Sequence, residues 1–507
     1  MLFATDAEAT LLQAFAEMFT LRGMTLMMFG TAAGIVVGAI PGLTGAMLIA
    51  LTLPLTFSME RPEDAMILLV SMYVGSVSGG LISATLLRMP GTPSSMMTTL
   101  DGYPMAQQGQ PGRALGLGIG ASLLGGVISW FFLWILSEPI AKLATGFSPY
   151  DLFSLVVVAL VLIGSVSGKS LLRGVFAGLL GILAALPGTS PSTGDLRWTM
   201  GLAEMNDGLK LLPVLVGMFA INQVISDMIK LDETPPPAKW SYAGLFSSLL
   251  ECFRQWFNVL RSSLIGTFIG ILPGIGANIG SVVAYSSARS MSRDKQKFGK
   301  GSEEGIVASE SANNATVGGA LIPLVAMGIP GSVIDAVLLG ALIIHGLQPG
   351  PLLYKSDPGI VHTIIATALV ANIFMYIFMV LTVGWIAKLM YLPKRVFLPI
   401  VVVFCMVGSY ALSNRMFDVW VMLAFGGIGF VIERFKIPLA PFVIGFVLAP
   451  VAEKNLGAGF QGANGSFLPL LQSPFSVLFL LTALVITVWS TIGHYREHVA
   501  ATEHETT

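Results

Sequence analysis

Charge is what this chain has least of. Only 11% of its 507 residues are Asp, Glu, Lys or Arg, whereas soluble domains carry about 25%. A fold this poor in charge cannot present a water-facing surface on every side. Composition therefore excludes a soluble globular protein and predicts an all-α polytopic membrane protein, with roughly ten to thirteen transmembrane or re-entrant helices at ~20 residues per span. The net charge of −1 leaves no polycationic surface for nucleic acid. Cysteine is nearly absent. Cys252 and Cys405 stand in different apolar contexts and read as unpaired thiols rather than a disulfide or a metal pair. The motifs of intramembrane hydrolysis, Gly-x-Ser-x-Gly and His-Glu-x-x-His, do not occur. A basic signal-peptide n-region is also missing, because Asp6 and Glu8 stand in its place; insertion is expected to rely on the first span.

What the chain has in quantity is apolar sequence, 54% of residues with mean hydropathy +0.80, punctuated by Gly and Pro. One punctuated stretch appears twice, as Gly34 to Gly45 with Pro41-Gly42 inside it, and as Gly266 to Ala277 with Pro273-Gly274 inside it. Proline removes a backbone donor and clashes with the preceding turn. A helix surrounded by lipid cannot leave those groups unpaired, so such breaks belong where protein or a watery cavity covers them. Corresponding breaks in two halves of a chain mark a transporter's substrate site. Gly34-x3-Gly38 and Gly266-x3-Gly270 read as packing seams within the chain rather than a dimer seam.

Other markers recur in the same order. A second break, Pro90-Gly91, matches Pro330-Gly331, and Ile140-Ala-Lys-Leu143 matches Ile386-Ala-Lys-Leu389, at offsets of roughly 232 to 246 residues. We read an N-terminal membrane repeat over 1–231, a proline-rich linker and amphipathic interfacial helix over 232–261, a C-terminal membrane repeat over 262–494 and a polar tail over 495–507. Within these, 8–28 reads as an amphipathic or short membrane helix, and spans are expected near 65–88, 114–137, 150–167, 171–187 and 209–229. The loop after the first break is acidic (Glu60, Glu63, Asp64). Its counterpart is basic, from Arg289 to Lys300. Basic short loops stay in the cytoplasm, which predicts that the repeats are inverted.

Broken helices supply two kinds of ligand. Freed amides and half-helix N-termini attract carboxylates, and freed carbonyls coordinate a cation such as sodium. The candidate substrate-binding residues are therefore the breaks with the neutral polar groups beside them. In the first half they are Pro41, Gly42, Thr44, Gly45, Pro90, Gly91, Thr92, Ser94 and Ser95. In the second half they are Pro273, Gly274, Asn278, Asn313, Asn314, Pro330, Gly331 and Ser332. Sodium is expected near Gly42, Gly274 and Asn314, and no other cofactor is expected. Glu310 is the candidate coupling residue, since an ionisable group in a span is a functional candidate by default. Arg88 reads as an interfacial anchor more than a carboxylate ligand, and Asp101 and Asp335 as turn or cap residues.

Two motifs mislead. Gly164-Ser-Val-Ser-Gly-Lys169-Ser170 is one residue short of a phosphate loop and follows no strand, so it reads as an interhelical turn. His494-Tyr-Arg-Glu497-His498 has zinc-ligand spacing but no third ligand, and reads as juxtamembrane tail.

Five stretches together resemble the large membrane subunit of the tripartite tricarboxylate transporters, the TctA family. They are Gly38 to Leu43, Met89 to Pro104, Gly270 to Ile275, Glu310 to Asn314 and Gly328 to Gly331. The resemblance implies work in the bacterial inner membrane with two partners: a small TctB-like membrane subunit and a periplasmic, TctC-like substrate-binding protein. It implies import of a carboxylate such as citrate by cation symport, with sodium as the coupling ion and without ATP. The expected activity is transport, not catalysis. A channel is the main alternative, and an intramembrane enzyme is the lesser one.

Overall fold

The computed structural model of the chain describes residues 11–40, 43–166, 171–229, 243–273, 276–389, 394–411 and 414–505. Helices make up most of these segments, and the only strand pairing among the described residues joins Gly188–Thr189 to Leu196–Arg197. Among the described residues, seven helices are long and apolar enough to cross a membrane, and six shorter helices are also apolar. Counted together, the seven long and six shorter apolar helices of the described residues fall within the expected ten to thirteen.

α1 (11–18) ends at a bend where a single helix over 8–28 was expected. Thr20 then caps α2 (Leu21–Ala39) by accepting from the Gly23 amide at 3.1 Å. α3 (Gly45–Phe57) follows the first break, and α4 (Pro62–Leu87) runs back through the centre. Pro62 opens α4 where a helix needs no donor, and Glu63 and Asp64 suit its positive end. Asp64 also pairs with Arg22 at 2.6 Å. After the second break come α5 (Thr98–Gln107), α6 (Pro111–Ala144), α7 (Pro149–Val166), α8 (Leu171–Ala185), α9 (Leu211–Val216) and α10 (Asn222–Ile229).

The interfacial helix expected over 241–261 is divided. α11 (Ser248–Arg254) stops at Gln255, and α12 (Trp256–Ile271) carries on past residue 261 into the second broken segment. α13 (Gly276–Met291) follows its break. α14 (Glu303–Met327) and α15 (Val333–Ile344) flank the last break. The rest of the described chain is α16 (Leu353–Ser356), α17 (Pro358–Leu389), α18 (Lys394–Ala411), α19 (Met416–Arg434), α20 (Leu439–Gly462), α21 (Leu468–Gln472) and α22 (Pro474–Glu505). α22 continues through the segment expected as a polar tail, and residues 167–170 of the phosphate-loop lookalike lie outside the described segments.

α4 and α14 are the core. Every residue from Asp64 to Leu87 and from Gly305 to Ala326 is buried, on all faces of both helices. Small residues permit this. A side chain at Gly38 would run into the Ser76 carbonyl of α4, and one at Gly266 into the Ala312 carbonyl of α14. Both Gly-x3-Gly pairs thus pack inside the chain, where close backbone approach supplies the dispersion energy that lipid cannot. α6 lies along α14 and α17 along α4. Outside this centre, α7 and α8 pack on α20 and α22, and α9 and α10 pack on α19.

Candidate functional site

The two second breaks are built alike. α4 ends on Arg88 in the left-handed region (φ 55°), and α14 ends on Gly328 (φ 69°); the Pro-Gly step follows each. Pro90 is exposed, while Gly91, Thr92, Ser94 and Ser95 are buried. Their hydroxyls close the turn at Pro93–Met96. Ser95 Oγ donates to the Thr92 carbonyl at 2.8 Å and accepts from its amide at 3.3 Å, and the Thr92 and Ser94 hydroxyls meet at 3.0 Å. In the second half Pro330 and Gly331 are buried, and Ser332 caps α15 by accepting from the Asp335 amide at 3.4 Å.

The first breaks are partly placed. Pro41, Gly42 and Gly274 lie outside the described residues, as does the side chain of Asn278 in the first turn of α13. Thr44 caps α3 by accepting from the Met47 amide at 3.1 Å. Gly45 is buried against Ser76 and Ile334, and Pro273 is buried after the end of α12. Within each half the two breaks touch: Gly91 faces the Gly38 carbonyl, and Gly331 faces the Gly270 carbonyl. The halves also interlock. The turn at Pro93–Met96 packs on α13, and α15 packs on α3.

Between the breaks lies a buried polar seam where α14 meets α4, α5 and α6. Ser78 Oγ donates to Asn314 Oδ1 at 2.6 Å, and the Asn313 amide nitrogen donates to the Val77 carbonyl at 3.4 Å. Glu310 is fully buried. Thr98 donates to one of its oxygens, and Ser122 (3.4 Å) and the Asn313 amide (3.3 Å) donate to the other. No cation pairs with Glu310 among the described residues. Asn313 Oδ1 and Ser311 Oγ, both buried, have no hydrogen-bond partner there. The Glu310 carboxylate and the orphaned Asn313 oxygen are hard oxygen groups of the kind a small cation takes as ligands. Asn314, expected near sodium, belongs to this seam; its own oxygen is engaged by Ser78.

Several groups here went unnoticed in the sequence. Thr98 and Ser122 carry no local signal, because only packing brings α5 and α6 to Glu310. Asp335 is more than a cap, since Tyr73 OH donates to its Oδ2 at 3.4 Å and meets Ser332 Oγ at 3.3 Å. Asp101 is corrected from a turn residue to a clamp between halves. Its Oδ1 accepts from the amides of Gly299 (2.8 Å), Gly301 (2.9 Å) and Ser302 (2.8 Å), and its Oδ2 accepts from Tyr285 OH at 2.8 Å. Arg88 is exposed and lies over the Tyr103 ring at 5.8 Å.

Comparison with known proteins bears on this arrangement. The family described as "Tripartite tricarboxylate transporter TctA family" matches residues 24–444. An uncharacterized 52.8 kDa protein in the TAR-I ttuC' 3' region of Agrobacterium vitis is 31% identical over 477 residues, 94% of this chain and 95% of that protein. A second protein of Agrobacterium vitis, in the TAR-II ttuC' 3' region, is 32% identical over 231 residues, 46% of this chain and 96% of its own length.

Proposed function

Because the chain belongs to the tripartite tricarboxylate transporter TctA family, we propose that it is the large membrane subunit of a binding-protein-dependent secondary transporter that imports carboxylates by sodium symport. It works in the bacterial inner membrane as a multi-pass protein. Its partners are a small membrane subunit and a periplasmic substrate-binding protein, and its substrates are citrate or related di-, tri- or aromatic carboxylates. The carrying observation is the pairing of Pro-Gly breaks around a buried seam that holds an uncompensated carboxylate, Glu310, beside an unpartnered Asn313 oxygen.

Neutral donors suit a site that must release its ligand. The start of α3, capped by Thr44 and free of acidic residues in its first turn, offers a helix N-terminus to an anion, whereas the start of α15 already holds the Asp335 carboxylate. A cation at the seam neutralises Glu310, and its arrival favours the substrate-loaded state by simple charge complementarity. The matched order of breaks and the equivalent contacts Gly91–Gly38 and Gly331–Gly270 support the reading of two repeats.

The test is uptake of labelled di- and tricarboxylates into vesicles holding this chain with its small subunit. Runs with and without the binding protein, and with and without an inward sodium gradient, are compared. Saturable uptake that needs both is expected, and Glu310→Gln should abolish the gradient's effect. Uptake indifferent to the gradient would favour a channel.

A further inference from the structure

Away from the breaks, a pocket of about 370 Å³ opens where the start of α12, the end of α13 and the start of α14 meet. Its walls carry Arg254, Arg261 and Arg293 against the single acid Glu304. None of the three arginines forms an ion pair among the described residues. Arg261 donates to Asn258 Oδ1 at 2.5 Å and points a second nitrogen at Met291 Sδ at 3.3 Å, while its buried Nε has no partner. Three arginines and one carboxylate line the pocket, an excess of positive charge that leaves planar donors unpaired among the described residues on Arg254, Arg293 and Arg261 Nε, the chemistry that grips phosphate oxygens.

The surroundings say where the phosphate comes from. Trp256 and Phe257 at the pocket mouth are 64% and 54% exposed. From Phe257 a stripe of exposed apolar residues, Leu260, Leu264 and Phe268, runs down α12 at helical spacing. An exposed apolar stripe that ends at a tryptophan marks the step from hydrocarbon to headgroups. The pocket thus sits at headgroup depth, beside the basic loop that holds Arg293.

We propose that Arg254, Arg261 and Arg293 form a binding site for the phosphate of an anionic lipid headgroup, with the acyl chains lying along the α12 stripe. The site is separate from the break region, and it stands whether or not carboxylates are the transported substrate. By holding a lipid against α12, it tethers the half-helix that leads into the second broken segment.

The experiment uses the purified full-length chain, delipidated in a neutral detergent. It is titrated with short-chain phosphatidylglycerol, with phosphatidylcholine of equal chain length, and with inorganic phosphate. Retained lipid is read by native mass spectrometry and the unfolding midpoint by thermal melting. Phosphatidylglycerol should be retained in preference to phosphatidylcholine and should raise the midpoint. Arg254→Gln and Arg293→Gln, both at exposed positions, should each weaken that retention about fivefold, the equivalent of ~1 kcal/mol per basic residue at a headgroup. Arg434→Gln, at a different pocket, should leave it unchanged. Glu304→Gln should strengthen it. Equal retention of the two lipids, or a preference that survives both arginine substitutions, would overturn the proposal. Protection by inorganic phosphate at the same concentrations as the lipid would overturn the lipid source.

Discussion

Ser78 of α4 donates a hydrogen bond of 2.6 Å to Asn314 of α14, joining the two fully buried helices of the core across 236 residues of sequence. A bond that links the centres of two halves has two readings, support and function, and these separate experimentally. Asn314→Ala should lower uptake far more than the amount of protein in the membrane. The Ser78→Ala, Asn314→Ala cycle should show a coupling of about 1 kcal/mol in unfolding. Uptake and abundance falling in parallel would assign Asn314 to structure alone.

Arg88 holds a left-handed backbone that glycine adopts freely, and its counterpart Gly328 is glycine. Arg88→Gly should therefore raise stability by up to ~1 kcal/mol, read as a higher unfolding midpoint. If Arg88 is only an anchor, uptake should be kept. Lost uptake together with raised stability would make it a ligand.

Asp101 gathers three backbone amides from the Gly299–Ser302 segment and a phenol from α13. Asp101→Ala should destabilise the chain by about 3 kcal/mol, because buried donors lose a charged acceptor. Tyr285→Phe removes one bond and should cost about 1 kcal/mol. Limited trypsin digestion checks both: cleavage between Arg289 and Lys300 should accelerate markedly in the first variant and slightly in the second.

Gly38 meets the Ser76 carbonyl so closely that a methyl group cannot enter, whereas Gly427 on α19 has open space around it. Gly38→Ala should destabilise by ~1–3 kcal/mol through overpacking. Gly427→Ala should be neutral or stabilising by up to ~1 kcal/mol. Thermal melts of the two single variants decide it, and equal effects would contradict the α2–α4 seam.

Much of this protein was legible without coordinates because membrane solvent is unforgiving. Low charge and long apolar runs required helices, and Pro-Gly steps in apolar sequence marked breaks, so those at Pro90 and Pro330 could be named from residues alone; the expected cover is present at Pro330, whereas Pro90 is exposed. The same logic marked Glu310 and the Asn313–Asn314 pair. Tertiary structure decided what those residues touch. Thr98 and Ser122 are ordinary helix residues in sequence, and each joins the seam only when α5 and α6 pack on α14. Asp101 looked like a local turn residue because its partners lie some 200 positions away in the chain. The division of the interfacial segment at Gln255 was equally hidden, since an amphipathic pattern shows which face is apolar but not where the helix is interrupted. Local chemistry is written residue by residue, but partners across a fold are chosen by shape, and shape is a property of the packed chain.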